Sequence, residues 1–595
     1  MRRIVLTTII GLSVLAASAQ KKGKKKLHKE VEVSKAYRPT VNNAQKLNFT
    51  PTDKDTAQYK PTFNYSIKSN PVESTHDITP LTATKVNTNQ TETLGLGYAK
   101  LGMGNYTTPY AELFVNKRQS KTTSFGMHFK HLSSNGKVEL ENGTKVKAPY
   151  SHNFFNVFTQ HYGRKTDWGI DLLYDRNRIT YYGFAGKNDI PTKDNGEFQN
   201  WLQNQKQVFE KIQAKFDLSS RAKKSKVDYD IAFKASHFSA TTDQKELFLG
   251  ADYNVKKVFK PVTLWIDGSL FMADTKNIIQ GANTSYMTAP AEALLSDHNE
   301  VFFKLNPTAY WAGDNWKFRL GFNTDFIFEK DKDAEVKIAP KMYGEWTPIE
   351  DILTIFIQTE GGTSPQLYSN SFQENPYRDS YELMKNKFIT YEFKGGFNGN
   401  FSKSTSFSVY ALYSQINNEP FYNMMWGGEK ALILPASNTF KVMYDDADLF
   451  QLHGEVMHNA SKTVNFLLKG NYYSWKMKNM DESFGKPKFD ATFTSTIYYD
   501  SKLTFNADLF VEGGRKYWYY NSEEVSGSSG FQQVANRQTI TTDPVIDLSV
   551  GAQYKYTDQW HFWARANNLL FRRHERYVGY AEQRFMLMLG VGYSF

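Results

Sequence analysis

The stretch Phe585 to Phe595 reads FMLMLGVGYSF, and its alternation decides the fold. Phe585, Leu587, Leu589, Val591, Tyr593 and Phe595 fall on one side of an extended chain, with Met586, Met588, Gly590, Gly592 and Ser594 on the other. Side chains of a strand switch faces at every residue, so one environment meets a continuous apolar ridge and the other meets small residues.

The same period runs back through the sequence. In Trp316 to Phe326, Trp316, Phe318, Leu320, Phe322 and Phe326 oppose Lys317, Arg319, Asn323 and Asp325. Val227, Tyr229, Ile231 and Phe233 oppose Asp228, Asp230 and Lys234, and Phe505, Ala507, Leu509 and Val511 oppose Asn506 and Asp508. Apolar outside with charge inside inverts the arrangement of a soluble core and suits lipid around a watery lumen.

Roughly 22 such segments can be counted, each near the 9 to 11 residues that a tilted strand needs to cross the hydrocarbon. The connections keep a rhythm. Short links at Gln119 to Lys121, Gly163 to Lys165, Gly313 to Asn315, Ser402 to Ser404, Asn459 to Lys462 and Thr557 to Gln559 recur in every second position. Between them fall long ones: His131 to Tyr150, Tyr181 to Leu202, Ala273 to Asn299, Gly362 to Lys387, Glu419 to Asn438 and Tyr519 to Pro544. Short periplasmic turns alternating with long external loops characterise an outer-membrane barrel. The predicted fold is therefore all-β: a transmembrane antiparallel barrel with long external loops, located in the bacterial outer membrane.

The front of the chain agrees. Arg2 and Arg3, an apolar run from Ile4 to Ala17 and then Ala17-Ser18-Ala19 give the order of a secretory signal peptide over residues 1–19. Residues 20–91 are polar and punctuated by Pro39, Pro51, Pro61, Pro71 and Pro80, which predicts an extended periplasmic segment before a barrel over 92–595. No later run approaches the roughly 18 apolar residues of a spanning helix. The mean hydropathy of −0.56 does not count against a membrane barrel, whose strands are individually too polar to register.

Cysteine is absent, so disulfides and thiolate chemistry are excluded. Phe and Tyr number 44 and 36, an abundance suited to the two boundaries between lipid and water. The formal charge of +11 owes much to Arg2, Arg3 and a basic patch of Lys21, Lys22, Lys24, Lys25, Lys26 and Lys29. A patch of this kind can touch anionic headgroups or an acidic partner. Nucleic acid is not an expected partner, since no stacking platform or reading helix accompanies the lysines.

The closing hairpin carries a family resemblance. Ala566-Asn567-Asn568-Leu569-Leu570-Phe571-Arg572-Arg573, the loop His574 to Gln583 and the terminal strand resemble the end of TonB-dependent receptor barrels, which finish in an Asn-Leu-Phe element, a Tyr-containing loop and a strand ending in Phe. The resemblance implies an outer-membrane barrel for bulky nutrients. It also implies that Leu587, Leu589, Val591, Tyr593 and Phe595 form the signal read by the barrel-assembly machinery. The chain departs from the family in its front segment, where 20–91 is too short and irregular for the folded plug that a lumen of this width needs. Glu30-Val31-Glu32-Val33 alternates as TonB-binding peptides do, although short patterns of this kind are common by chance.

Catalysis finds no support. There is no H-E-x-x-H run, G-x-S-x-G elbow or P-loop, and Gly527-Ser528-Ser529-Gly530 reads as flexible turn chemistry. His128 and His131 would lie on opposite faces of a strand, which is unsuited to a metal pair. The sequence thus yields no cofactor or metal set. Asp228, Asp230, Lys234, Lys317, Arg319, Asp325, Asp508 and Glu512 read as charged lumen wall, either setting ion preference or simply solvated. Two functions stay open: a solute pore narrowed by its own loops, and a non-transporting structural or accessory subunit of an outer-membrane assembly or secretion complex. Outer-membrane lipid and a periplasmic or outer-membrane protein are the other expected partners.

Overall fold

Lipid leaves no partner for backbone N–H and C=O groups, so a sheet that spans it has to close on itself. A computed structural model describes residues 95–595 except 119, 121, 142, 184–205, 221–226, 242–243, 278–297, 331, 379–383, 425–438 and 526–531. It shows a 22-stranded antiparallel sheet. The first strand, Gly97–Gly104, pairs with the last, Met586–Ser594, placing Leu101 opposite Val591 and Gly102 opposite Gly590. Phe595 and Gly97 then exchange two backbone hydrogen bonds of 3.0 Å that finish the seam.

The expected faces are observed. Trp316, Phe318, Leu320 and Phe322 of strand Trp316–Glu329 are exposed on the outer surface, while Asn323 and Asp325 of the same strand are buried inside. Links at 163–165, 260–261, 313–315 and 556–559 define a turn end, where strand Gly97–Gly104 begins and Met586–Ser594 finishes. Connections at 135–149, 365–386, 513–544 and 568–585 gather at the opposite, loop end.

Strand lengths differ from expectation. Thr405–Met424 and Phe440–Asn459 have 20 residues each, about twice what the hydrocarbon requires. Their surplus lies toward the loop end, where paired strands become scaffolding for the connections. Those connections are also more ordered than open loops. The stretch 135–149 holds a small hairpin, Lys137–Glu139 with Lys145–Lys147, and 513–544 holds a second, Lys516–Val525 with Gln532–Thr541. Helix α1, Tyr368–Glu374, lies within 365–386 and buries Tyr368, Ser369, Ser371 and Phe372 on one face, the i, i+3, i+4 pattern of an amphipathic turn. Pro376 lacks the N–H needed to continue it.

Candidate functional site

The loop end contains a buried aromatic cluster assembled from separate connections. Val138 and Val146 come from the small hairpin, Tyr182 follows strand Thr166–Thr180, Tyr422 and Phe440 stand on the two longest strands, and Tyr517 and Tyr580 come from the last two long connections. Val146, Phe440 and Tyr517 are fully buried. Burying a large apolar side chain contributes about 1.5–3 kcal/mol, so these connections hold one another. Tyr377 stacks on Tyr580 with ring centroids 3.6 Å apart. The buried hydroxyls are all used: Tyr182 donates to the Ala581 carbonyl at 2.8 Å, Tyr181 to Pro376 at 2.9 Å and Tyr517 to Arg576 at 2.8 Å.

Helix α1 is held from three separated sectors of the ring. Phe372 packs on Phe209 and Phe238, centroids 4.6 and 5.9 Å away, on strands Lys206–Ser220 and Asp228–Ala240. Ser369 donates its hydroxyl to Glu246 at 2.8 Å on the next strand. From the far side, Tyr422 donates to Glu374 at 3.1 Å, and Tyr577 donates to the Glu374 carbonyl. Lys486 completes the clasp, 3.1 Å from Glu374 and 3.0 Å from Glu419. Burial alone would lower the pKa of this lysine, but Glu419 and Glu374 more than offset it and leave it above the ordinary value. Arg378 is buried just beyond the helix, its guanidinium 5.3 Å from the Tyr368 ring and 5.1 Å from Phe372.

The charged residues singled out in the sequence fall in three places. Lys234 pairs with Asp252 at 2.5 Å and Asp228 with Lys256 at 3.8 Å, while Asp230 is exposed between them. Lys317 pairs with Glu345 at 2.7 Å, Arg319 lies 4.3 Å from the Trp265 ring, and buried Asp325 accepts the Thr363 N–H at 2.5 Å. Asp508 accepts from Thr494 at 2.9 Å, and Glu512 takes a two-pronged contact from Arg515 at 3.0 and 3.1 Å. No single site gathers them. Of the terminal set, Leu587, Leu589 and Phe595 are exposed on the outer face, while Val591 and Tyr593 are half-buried, Tyr593 beside Trp560 at 4.8 Å. The lysines of the basic patch, the signal segment, Glu30 to Val33 and Gly527 to Gly530 lie outside the described residues.

His128 and His131 do face opposite ways, to Glu112 at 3.0 Å and Asn153 at 2.7 Å. Sequence reasoning missed His298, Glu300 and Glu329, the one group among the described residues with metal-ligand chemistry. Its imidazole is held between the two carboxylates, Nε2 at 2.5 Å from Glu300 and Nδ1 at 3.3 Å from Glu329. Because the two nitrogens point to different carboxylates, the group suits a shared proton better than one ion. It also missed Lys486, Glu374 and the tyrosine cluster. A signal was present in Tyr181-Tyr182 and Tyr577 to Tyr580, aromatic pairs inside connections that should otherwise be polar.

No family model matches the chain, and no curated protein matches its sequence. Solved structures do match its fold. The siderophore receptor PirA from Acinetobacter baumannii superposes with a TM-score of 0.61 at 10% identity, covering 84% of this chain and 80% of that one. The copper transporter OprC gives 0.59 at 10% identity over 84% and 80%. The outer-membrane receptor FpvA from Pseudomonas aeruginosa PAO1, bound to pyoverdine, gives 0.57 at 12% identity over 84% and 78%. The chain therefore has the fold of a TonB-dependent receptor barrel, a fold that spans the bacterial outer membrane. Among the described residues no separate plug domain accompanies it.

Proposed function

We propose that this protein is a transport-type barrel of the outer membrane whose lumen is narrowed by its own loops. One observation carries this reading: helix α1 and the tyrosine cluster are tied to opposing sectors of the ring at the loop end through Lys486, Glu374, Tyr422 and Phe372. A barrel of about 22 strands encloses a wide lumen, which in an open state would breach the permeability barrier. The ties from the far side, through Lys486, Glu374 and Tyr422, are polar and ionic and can release while Phe372 stays packed on Phe209 and Phe238. The fold's neighbours include a copper transporter and a pyoverdine receptor, which supports passage of a solute. The six lysines Lys21 to Lys29 would then contact anionic lipid or a periplasmic partner from the segment 20–91.

Planar-bilayer recording tests this. The expected record is a mostly closed protein with discrete large openings that become frequent when 365–386 is replaced by a short Gly-Ser link. A protein that stays silent after that replacement and copurifies with defined partners would instead be the accessory subunit of a larger assembly.

A further inference from the structure

Several cations on one part of the inner wall are paired with carboxylates, although Arg319 there lies over the Trp265 ring instead. Lys215 meets Asp217 at 2.7 Å, Lys234 meets Asp252 at 2.5 Å, Lys317 meets Glu345 at 2.7 Å and Lys341 meets Asp267 at 2.8 Å. Around the seam the pattern changes. Lys100 of strand Gly97–Gly104, Lys130 of Thr123–Ser134 and Arg565 of Trp560–Asn567 line one cavity of about 560 Å³. Among the described residues none of the three has a carboxylate within 4.0 Å. Arg565 spends only its Nε–H, on Asn567 at 2.9 Å. Glu112 stands between Lys100 and Lys130 in the strand register. Its oxygens accept from Tyr98 at 3.1 Å, Tyr110 at 2.6 Å and His128 at 3.0 Å, so its charge stands beside the two lysines without a direct ion pair and offsets them only in part. Asp508, the carboxylate that lines the cavity, accepts from Thr494.

The cavity also has a flat aromatic wall. Trp563 lies against two glycines of neighbouring strands, so close that a Cβ on Gly102 would fall 2.5 Å from its ring and one on Gly590 2.3 Å. Tyr110 meets it edge-on at 5.5 Å and fixes its angle. The buried Trp563 Nε1–H has no partner among the described residues. A second cavity of about 440 Å³ shares Arg565, Asn567, Ser549 and Tyr150 with the first and continues up to Tyr182 and Tyr377 of the loop cluster, with Arg584, Asp547 and Glu582 also on its wall. His574 lines it, 4% exposed and with its Nε2 unpartnered. The two cavities share a wall beneath the loops and together are lined by three cations without a direct ion pair and by two buried polar atoms without a partner among the described residues.

Like charges gathered in a partly desolvated recess repel one another unless an anion joins them. We propose that the recess binds a ring-bearing oxyanion, a sugar-sized solute carrying a carboxylate or phosphate, with its charge on Arg565, Lys100 and Lys130 and its ring on Trp563. Arginine supplies a planar fork that matches either oxyanion in two-pronged fashion, and an indole face offers an apolar platform to a ring. The proposal rests on the transport reading only for how the solute reaches the recess.

The test is isothermal titration of the purified full chain in detergent with D-glucuronate, D-glucose 6-phosphate and D-glucose. The two acidic sugars should bind, more weakly as salt is raised, and neutral glucose should bind at least about tenfold more weakly. Arg565→Gln should weaken the acidic sugars by about tenfold and Arg565→Lys by less. Heat-modifiable migration confirms that each variant is folded, and Lys130→Gln serves if Arg565→Gln is not. Glucose binding as tightly as glucuronate, indifference of both acidic sugars to the variants, or no heat into the millimolar range would overturn the proposal. A chain that binds acidic sugars yet never conducts would remove the transport reading and keep the site; one that conducts without binding them would do the reverse.

Discussion

Replacing Lys486 by Met separates the clasp from the barrel wall, because the substitution keeps the length of the side chain and removes its charge. Lys486 is 17% exposed and lies between Glu419, 5% exposed, and Glu374, 44% exposed. Removing one member of a buried ion pair costs about 3–5 kcal/mol, since the remaining charge is left without a partner. Two features reduce that figure here. Glu374 keeps contact with water, and Glu419 retains Lys387 at 3.3 Å, so a cost of about 1–2 kcal/mol is expected. If the clasp exists only in the closed state, that cost shifts the ratio of open to closed protein by about 5–30-fold. Single-channel recording should show openings more frequent by this factor, with circular dichroism and heat-modifiable migration unchanged. Glu374→Gln should act in the same direction, and the double variant should fall short of the sum of the two, because both remove one interaction. Lys486→Met openings no more frequent than those of the parent, in a protein that conducts at all, would refute the assignment of α1 as the obstruction.

Four other outcomes follow from the same geometry. Gly183→Ala would place a Cβ 2.4 Å from the Tyr580 ring, an overpacking that costs about 1–3 kcal/mol; limited proteolysis should cut the loop end faster while the barrel keeps its heat-modifiable migration. Gly592→Ala would put a Cβ against the His561 ring, 2.0 Å from its nearest atom, so its loss of thermal stability should be largely recovered by adding His561→Ala. Burial pushes the Glu582 carboxyl up, against the opposing pull of Arg576 and His574 and with help from Asp547 and Glu512. The folded loop therefore holds this proton more tightly than the unfolded chain, a stabilisation fully present below the ordinary carboxylate value of about 4.3 and lost as pH rises through the raised one. Openings should become rarer from pH 7 toward 5, and Glu582→Gln should remove much of that dependence; an unaltered pH response would count against it. Changing the six lysines from Lys21 to Lys29 to Gln should weaken flotation with anionic vesicles and leave heat-modifiable migration intact.

The barrel was legible in the sequence and the clasp was not, for a physical reason. A wall with lipid on one side and water on the other imposes the same demand at every second residue. Trp316, Phe318, Leu320 and Phe322 against Lys317, Arg319, Asn323 and Asp325 therefore state the fold without knowledge of any partner. The loop end imposes no repeating demand. Tyr182 is satisfied by Ala581, 399 positions away, and Lys486 by Glu374, 112 positions away, and no period links such residues. The abundance of Tyr and Phe was assigned to the lipid boundaries, yet Tyr182, Tyr422, Tyr517 and Tyr580 are buried among the loops instead.

The charged residues read from the strands show the converse. Their inward placement follows from alternation, but whether a charge is spent or available depends on its neighbours across the sheet. Lys234 and Lys317 are neutralised by Asp252 and Glu345 on the adjoining strands. Lys100, Lys130 and Arg565, which alternation alone would rank no higher, have no direct ion pair, because the Glu112 oxygens beside the two lysines are held by two tyrosines and a histidine. Which inward charges lack a direct ion pair is thus set by the register, a property of strand pairing that the pattern of any one strand does not contain.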